Sequence, residues 1–226
     1  GLQNQYVVYR QKDGGPAEVF LDPNGFSADA TTSLADLQFT DDGSIAAYAI
    51  SEGGSDWRKV FVINAETKEK LEPELVDVKF SGISFKGNEG FFYSSYDKPK
   101  GSELSAKTGQ HKLYYHKIGT PQKDDQLVYG GTDAEKHRYV GGTVTQDGKY
   151  LVVSAANATS GNKLLVKDLT KPDSVFITLD GEGSSDYNLI DSKGDILYFS
   201  TNFKAPNQRL IAIDMTKPAQ DQWKDV

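Results

Sequence analysis

Short apolar runs alternate with polar residues along most of the chain. In RKVFVIN, Val60 and Val62 fall on every second position; in QRLIAIDM, Leu210 and Ala212 do the same. A period of two places one set of side chains on each face of a sheet. β-Branched and aromatic residues dominate these runs, as strands favour. Helical spacing is scarce. Only Ala134 to His137 suggests a turn of helix.

Two signals repeat in step. One is a turn with glycine leading into an apolar run: Asp42-Gly43, Glu89-Gly90, Asp147-Gly148 and Lys193-Gly194. In the Asp-Gly turns the glycine supplies the positive φ of a tight hairpin. The other is a basic residue opening an alternating strand: Lys59, Lys112, Lys163 and Arg209. The glycines stand 47, 58 and 46 positions apart and the basic residues 53, 51 and 46. A period of about 40–50 residues, each unit made of four short strands, is the signature of a β-propeller.

The chain is therefore expected to be all-β, a partial β-propeller within a single domain over 1–226. Four full four-stranded blades are expected at 34–75, 76–132, 137–182 and 186–226. A half blade precedes them at 5–22, with strands at Gln5–Arg10 and Glu18–Asp22. The segment from Asp97 to Gln110 reads as a polar loop inserted in the second of these blades. Four and a half blades do not close a ring, and an open array leaves blade faces and strand edges uncovered. Further blades outside this stretch, closure by rearrangement, or self-association through the exposed edges would cover them.

Composition narrows the function. The net charge is −7 and no cluster of Lys and Arg forms a stripe, which argues against a nucleic-acid partner. No apolar run approaches the ~18–20 residues that span a bilayer, so no membrane partner is expected. There are no cysteines, which excludes disulfides and thiolate chemistry and suits the cytoplasm or the periplasm. No serine lies in a Gly-x-Ser-x-Gly elbow, so a catalytic residue is not expected here. His111, His116 and His137 lack metal-ligand spacing and read as exposed strand and loop residues; His111 and His116, five apart, face opposite sides of one strand. No cofactor or metal is expected. Gly54-Ser55-Asp56-Trp57 occupies a hairpin between the second and third strands of a blade. Phe91, Phe92, Tyr93 and Tyr96 read as inter-blade packing.

Several segments carry a more specific likeness. GLQNQYVVYRQ and VFLDPN near the start resemble the beginning of the propeller in the prolyl oligopeptidases. So do GSDW at 54–57, VKFSGISF at 78–85, GFFYSSYDKP at 90–99 and KLYYHKIGT at 112–120. VGGTVTQDGKYLVVS at 140–154 and APNQRLIAID at 205–214 follow in the same order. The likeness covers essentially the whole chain.

That resemblance implies a seven-bladed propeller capping an α/β-hydrolase domain whose Ser, Asp and His cleave short peptides after proline. This chain would be the non-catalytic, substrate-gating part, inactive alone. Its partners would be the hydrolase domain of the same parent and short proline-containing peptides. Carried over by position, Phe80 and Val140 would line the apolar pocket for the residue two before the scissile proline, although plain propeller core is the alternative for both. Where some members have a reactive cysteine, Thr159 stands. An arginine of the same stretch is replaced by Ala156, which deprives Asp56 of a charge partner. Two other readings compete: a stand-alone propeller binding a protein or peptide, and a metal-dependent propeller hydrolase, which the missing carboxylate and histidine cluster disfavours.

Overall fold

The computed structural model describes residues 4–97 and 109–226, so most of the Asp97–Gln110 insertion lies outside the described residues. Strands β1 (Val8–Arg10) and β2 (Glu18–Leu21) pair as an antiparallel hairpin. Four four-stranded antiparallel sheets follow. The first contains β3 (Ser33–Phe39), β4 (Ile45–Ser51), β5 (Trp57–Asn64) and β6 (Leu75–Lys79). The second contains β7 (Ser84–Lys86), β8 (Gly90–Tyr96), β9 (His111–Lys117) and β10 (Gln126–Tyr129). The third contains β11 (Tyr139–Val144), β12 (Tyr150–Ala156), β13 (Lys163–Asp168) and β14 (Ile177–Asp180). The last contains β15 (Tyr187–Lys193), β16 (Ile196–Thr201), β17 (Arg209–Asp214) and β18 (Lys224–Asp225). Within each sheet every strand pairs with its neighbour in sequence, the up-and-down meander of a propeller blade. No helix among the described residues is long and apolar enough to cross a membrane.

One blade boundary differs from the sequence expectation. The first blade does not end at residue 75, because Leu75–Lys79 is its outermost strand and the second blade opens at Ser84. Asp77 causes the mismatch. Its φ of 57° lies in the left-handed region, and the pairing of β5 with β6 shifts register between Arg58 and Val60. Alternation is broken there, so the strand leaves a weak pattern in the sequence.

The blades stack face on face, and each interface is an apolar core. Phe91 and Tyr93 on one face of β8 join Val60, Val62 and Leu75 of the first blade. Phe92, on the other face, joins Leu113, Val140 and Leu151 toward the third. Tyr150, Val152 and Leu164 meet Leu197, Phe199 and Ile211 between the third and fourth. Phe20 and Leu21 of the β1–β2 hairpin cover Ala46 and Ile63 on the remaining face of the first blade. Strand β8 is buried along its whole length because it is central in its sheet and sandwiched between two others. Burying a side chain such as Phe91 contributes about 1.5–3 kcal/mol.

The hairpin turns show why glycine recurs. Gly43 and Gly148 have φ of 70° and 75°. In each case the preceding aspartate accepts a hydrogen bond from a backbone N–H two residues on, from Ser44 to Asp42 at 2.9 Å and from Lys149 to Asp147 at 3.0 Å. A threonine hydroxyl donates to the same oxygen, from Thr40 at 2.9 Å and from Thr145 at 2.7 Å. Asp42 also accepts from the Ser44 hydroxyl at 2.7 Å and the Asn88 amide at 2.7 Å, and these two bonds, with those from the Ser44 N–H and Thr40, hold its carboxyl below the usual carboxylate range. Glu89-Gly90 works differently from the turn read in the sequence. The positive φ there belongs to Gly87, at 53°, and Gly90 is the first residue of β8. A Cβ on Gly90 would collide with the His116 carbonyl oxygen and come within 2.7 Å of the Tyr115 hydroxyl.

The histidines also correct the sequence reading, since all three are buried. Strand β9 is central in its sheet, so both its faces meet another blade, and its two histidines point to opposite sides as alternation requires. His116 packs on Phe91, at 5.3 Å between ring centroids. His111 stacks on Tyr96 at 4.3 Å. His137 lies beside Tyr129, its Nδ1 2.9 Å from the Glu135 carbonyl oxygen. The turn anticipated over Ala134 to His137 is a single 3-10 turn at Asp133–Glu135, with Thr132 and Glu135 forming a capping box.

Candidate functional site

Because strands alternate in direction, the β4–β5 and β12–β13 hairpins emerge from the same end of the blades as the β6–β7 and β10–β11 connections. Asp56 lies in the first of these segments, Thr159 in the second and Phe80 in the third, while Val140 is the second residue of the strand that follows the fourth.

Phe80 is the most exposed large side chain of this group, at 44%. It follows β6 directly with a φ of 49°, a conformation costly for a bulky residue. Its ring stands edge-on to Tyr96 at 6.2 Å and to Tyr139 at 6.0 Å. The Lys79 ammonium lies over the rings of both Trp57, at 4.9 Å, and Phe80, at 5.3 Å. The Arg138 guanidinium lies 5.7 Å from the Tyr139 ring. The Tyr96 hydroxyl donates to the Arg138 carbonyl, which ties the second blade to the start of the third. Phe80, Tyr139 and Trp57 form an aromatic surface edged by the two cations, with the buried Tyr96 ring packed against Phe80. Such a surface favours a flat or apolar ligand with partial negative charge at its margin.

Val140 is not on that surface. It is 1% exposed and packs into the core between the second and third blades, directly beneath the rim. Its neighbour Tyr139, half-buried, presents the ring that meets Phe80. Thr159 is exposed in the β12–β13 hairpin. That hairpin is anchored to the aromatic group through Asn157, whose side-chain oxygen accepts the Arg138 N–H at 3.1 Å. Asp56 is exposed and makes no hydrogen bond or ion pair with a described residue, while Ala156 pairs with Tyr139 across β11 and β12. The structure thus joins Phe80 and Val140 through Tyr139 and leaves Asp56 and Thr159 at the periphery.

Tyr96, Tyr139 and His111 were not singled out from sequence as site residues. Their roles depend on which blades become neighbours, and a strand pattern does not encode that. A hollow of about 510 Å³ lies along the inner strands β3, β7 and β11 and is lined by Asp36, Gln38, Thr143 and Gln146 among others. None of Asp56, Phe80, Val140 and Thr159 lines it. No cluster of His, Asp and Glu among the described residues is arranged to hold a metal ion.

Comparison with known proteins agrees with this architecture. Residues 1–226 match the family described as prolyl oligopeptidase, N-terminal beta-propeller domain. The chain belongs to this family. It is 54% identical to the prolyl endopeptidase of Elizabethkingia meningoseptica over all of its own length and 32% of that protein. It is 34% identical to prolyl oligopeptidase A of Amanita bisporigera over 96% of its length and 33% of that protein. Among solved structures, prolyl oligopeptidase B from Galerina marginata, bound to a 35mer hydrolysis and macrocyclization substrate, superposes with a TM-score of 0.87 at 29% identity. That match covers 100% of this chain and 35% of the fungal one. The apo form of the fungal protein gives a TM-score of 0.84 at 30% identity over 100% of this chain and 34% of the other. The chain therefore spans about a third of the length of its curated relatives, and what it corresponds to is the N-terminal part of their propeller.

Proposed function

We propose that this chain is the substrate-gating propeller portion of a serine endopeptidase that cleaves short peptides after proline. The partner is an α/β-hydrolase domain of the same parent protein. In this reading the chain contributes no catalytic residue. It admits short, unfolded peptides and supplies one wall of the cleft in which they are cut. The observation that carries the proposal is Phe80, exposed, held at an unfavourable φ, and framed by Tyr96 and Tyr139. A buried structural aromatic has no need of that exposure, and backbone strain of this kind concentrates at binding sites. Phe80 and Tyr139 form the wall for the residue two before the scissile proline. Val140 supports it from below, and Asp56 and Thr159 stand at its margins.

The test is Phe80→Ala in the full-length protein that carries this chain, assayed on two peptides differing only two positions before the proline. With a large apolar residue there, kcat/KM falls about tenfold more than with glycine, since a hydrophobic pocket discriminates by about 1–3 kcal/mol. Equal losses on the two peptides would remove Phe80 from the substrate wall.

A further inference from the structure

We infer that His111 is a positioning residue for this rim, setting the two aromatic rings that read the substrate through the peptide groups attached to them. The inference rests on the substrate-wall reading above. His111 opens β9 in the second blade and is fully buried, yet both its ring nitrogens are engaged. The Val140 N–H donates to Nδ1 at 2.7 Å. A backbone amide can only donate, so this Nδ1 carries a lone pair. Nε2 therefore holds the proton, which it donates to the Lys79 carbonyl at 2.9 Å. Burial lowers the His111 pKa and so favours the neutral ring that this arrangement needs.

What the imidazole holds matters more than that it is satisfied. The Lys79 carbonyl belongs to the peptide plane joining Lys79 to Phe80, so fixing it fixes the plane about which Phe80 takes its left-handed φ. The Val140 N–H belongs to the plane joining Tyr139 to Val140, so fixing it orients Tyr139. One side chain of the second blade thus fastens the end of the first blade to the start of the third, at the two residues whose rings meet. Tyr96, stacked on the imidazole and bonded to the Arg138 carbonyl, braces the same junction. The β9 backbone adds a further tie, from the His111 N–H to the His137 carbonyl at 3.0 Å.

The experiment compares His111→Leu, His111→Gln and His111→Asn with the parent in the full-length protein, using the same two peptides. Leucine fills the site without either hydrogen bond. Each amide side chain reaches one of the two partners. The preference for a large apolar residue over glycine should drop about five- to tenfold in the leucine variant, mainly through KM. The glutamine and asparagine variants should fall between it and the parent. Should the leucine variant not fold, the two amide variants decide the matter by the same ratio. An unchanged preference in every folded variant, with losses that merely track melting temperature, would overturn the inference while Phe80→Ala still shifts the ratio. If Phe80→Ala itself leaves the ratio unchanged, the substrate-wall reading fails and the inference goes with it.

Discussion

Replacing His116 with leucine should cost the protein about 3–5 kcal/mol of folding stability, the usual penalty for breaking a buried ion pair. The ring is 1% exposed and lies between two buried carboxylates, with Nδ1 2.7 Å from Asp125 and Nε2 2.8 Å from Glu72. The second oxygen of Asp125 accepts the Tyr93 hydroxyl at 2.6 Å, and that of Glu72 accepts the Gly119 N–H at 2.6 Å. Leucine would leave two negative charges facing each other with their cation removed. Glu72 lies in the segment between β5 and β6, whereas His116 and Asp125 belong to the second blade, so the network staples two blades at the rim opposite Phe80.

The same network gives stability a definite dependence on pH. Burial opposes the charged imidazole, but the hydrogen bonds and charges of Asp125 and Glu72 outweigh it and raise the His116 pKa to about 9. A raised pKa means that the folded state binds the proton more tightly than the unfolded one. The stabilisation is therefore complete below the unfolded value of about 6.5 and disappears as pH climbs through about 9. Its size is on the order of 3 kcal/mol. Tyr93, raised by its own burial and by its bond to Asp125, loses stability in the same direction only at still higher pH. Urea unfolding at pH 6.5 and pH 9.5 should therefore show the gap between the parent and His116→Leu narrowing with pH. A constant gap would mean that His116 is already neutral.

Gly90→Ala should be nearly as severe, at about 3 kcal/mol or more, the upper range for overpacking a rigid site. The obstructing atoms are the His116 carbonyl of the paired strand and the Tyr115 side chain, and backbone cannot swing aside as a surface side chain can. Gly43→Ala is the comparison. Nothing lies within 4 Å of a Cβ there, so only the positive φ of 70° is penalised, at about 1–2 kcal/mol. Urea midpoints of the two variants separate these causes. Equal destabilisation would contradict the close packing of β8 against β9.

What could be read from the sequence follows from which forces are local. Alternation and glycine turns are local, so the strands, the meander of each blade and the β1–β2 hairpin appear in the pattern. Strand β6 is hard to place in the pattern because Asp77, at a φ of 57°, breaks its alternation. Glu89-Gly90 looks like a turn in the sequence, while the constraint on Gly90 comes from β9, more than twenty residues away. His111 and His116 look like surface residues in the sequence because the Lys79 carbonyl, the Val140 amide and the Glu72 carboxylate that satisfy their rings come from neighbouring blades. The resemblance drew attention to Phe80 and Val140. Only the structure shows that Val140 is core and that Tyr139 supplies the surface above it.

The central claim is that the rim bearing Phe80 faces the substrate, and site-specific labelling tests it most directly. This chain has no cysteine, so a single one introduced here is a unique handle within it. Thr159→Cys and Asp173→Cys place exposed thiols at opposite ends of β13, the first on the Phe80 rim and the second on the other. Each full-length variant is treated with a bulky maleimide, and the unsubstituted protein given the same reagent corrects for thiols elsewhere in the parent. The expected result is that labelled Thr159→Cys loses most of its cleavage of a short proline peptide, that the peptide protects it from labelling, and that labelled Asp173→Cys stays active. Equal activity in the two labelled variants, or a loss confined to Asp173→Cys, would contradict it.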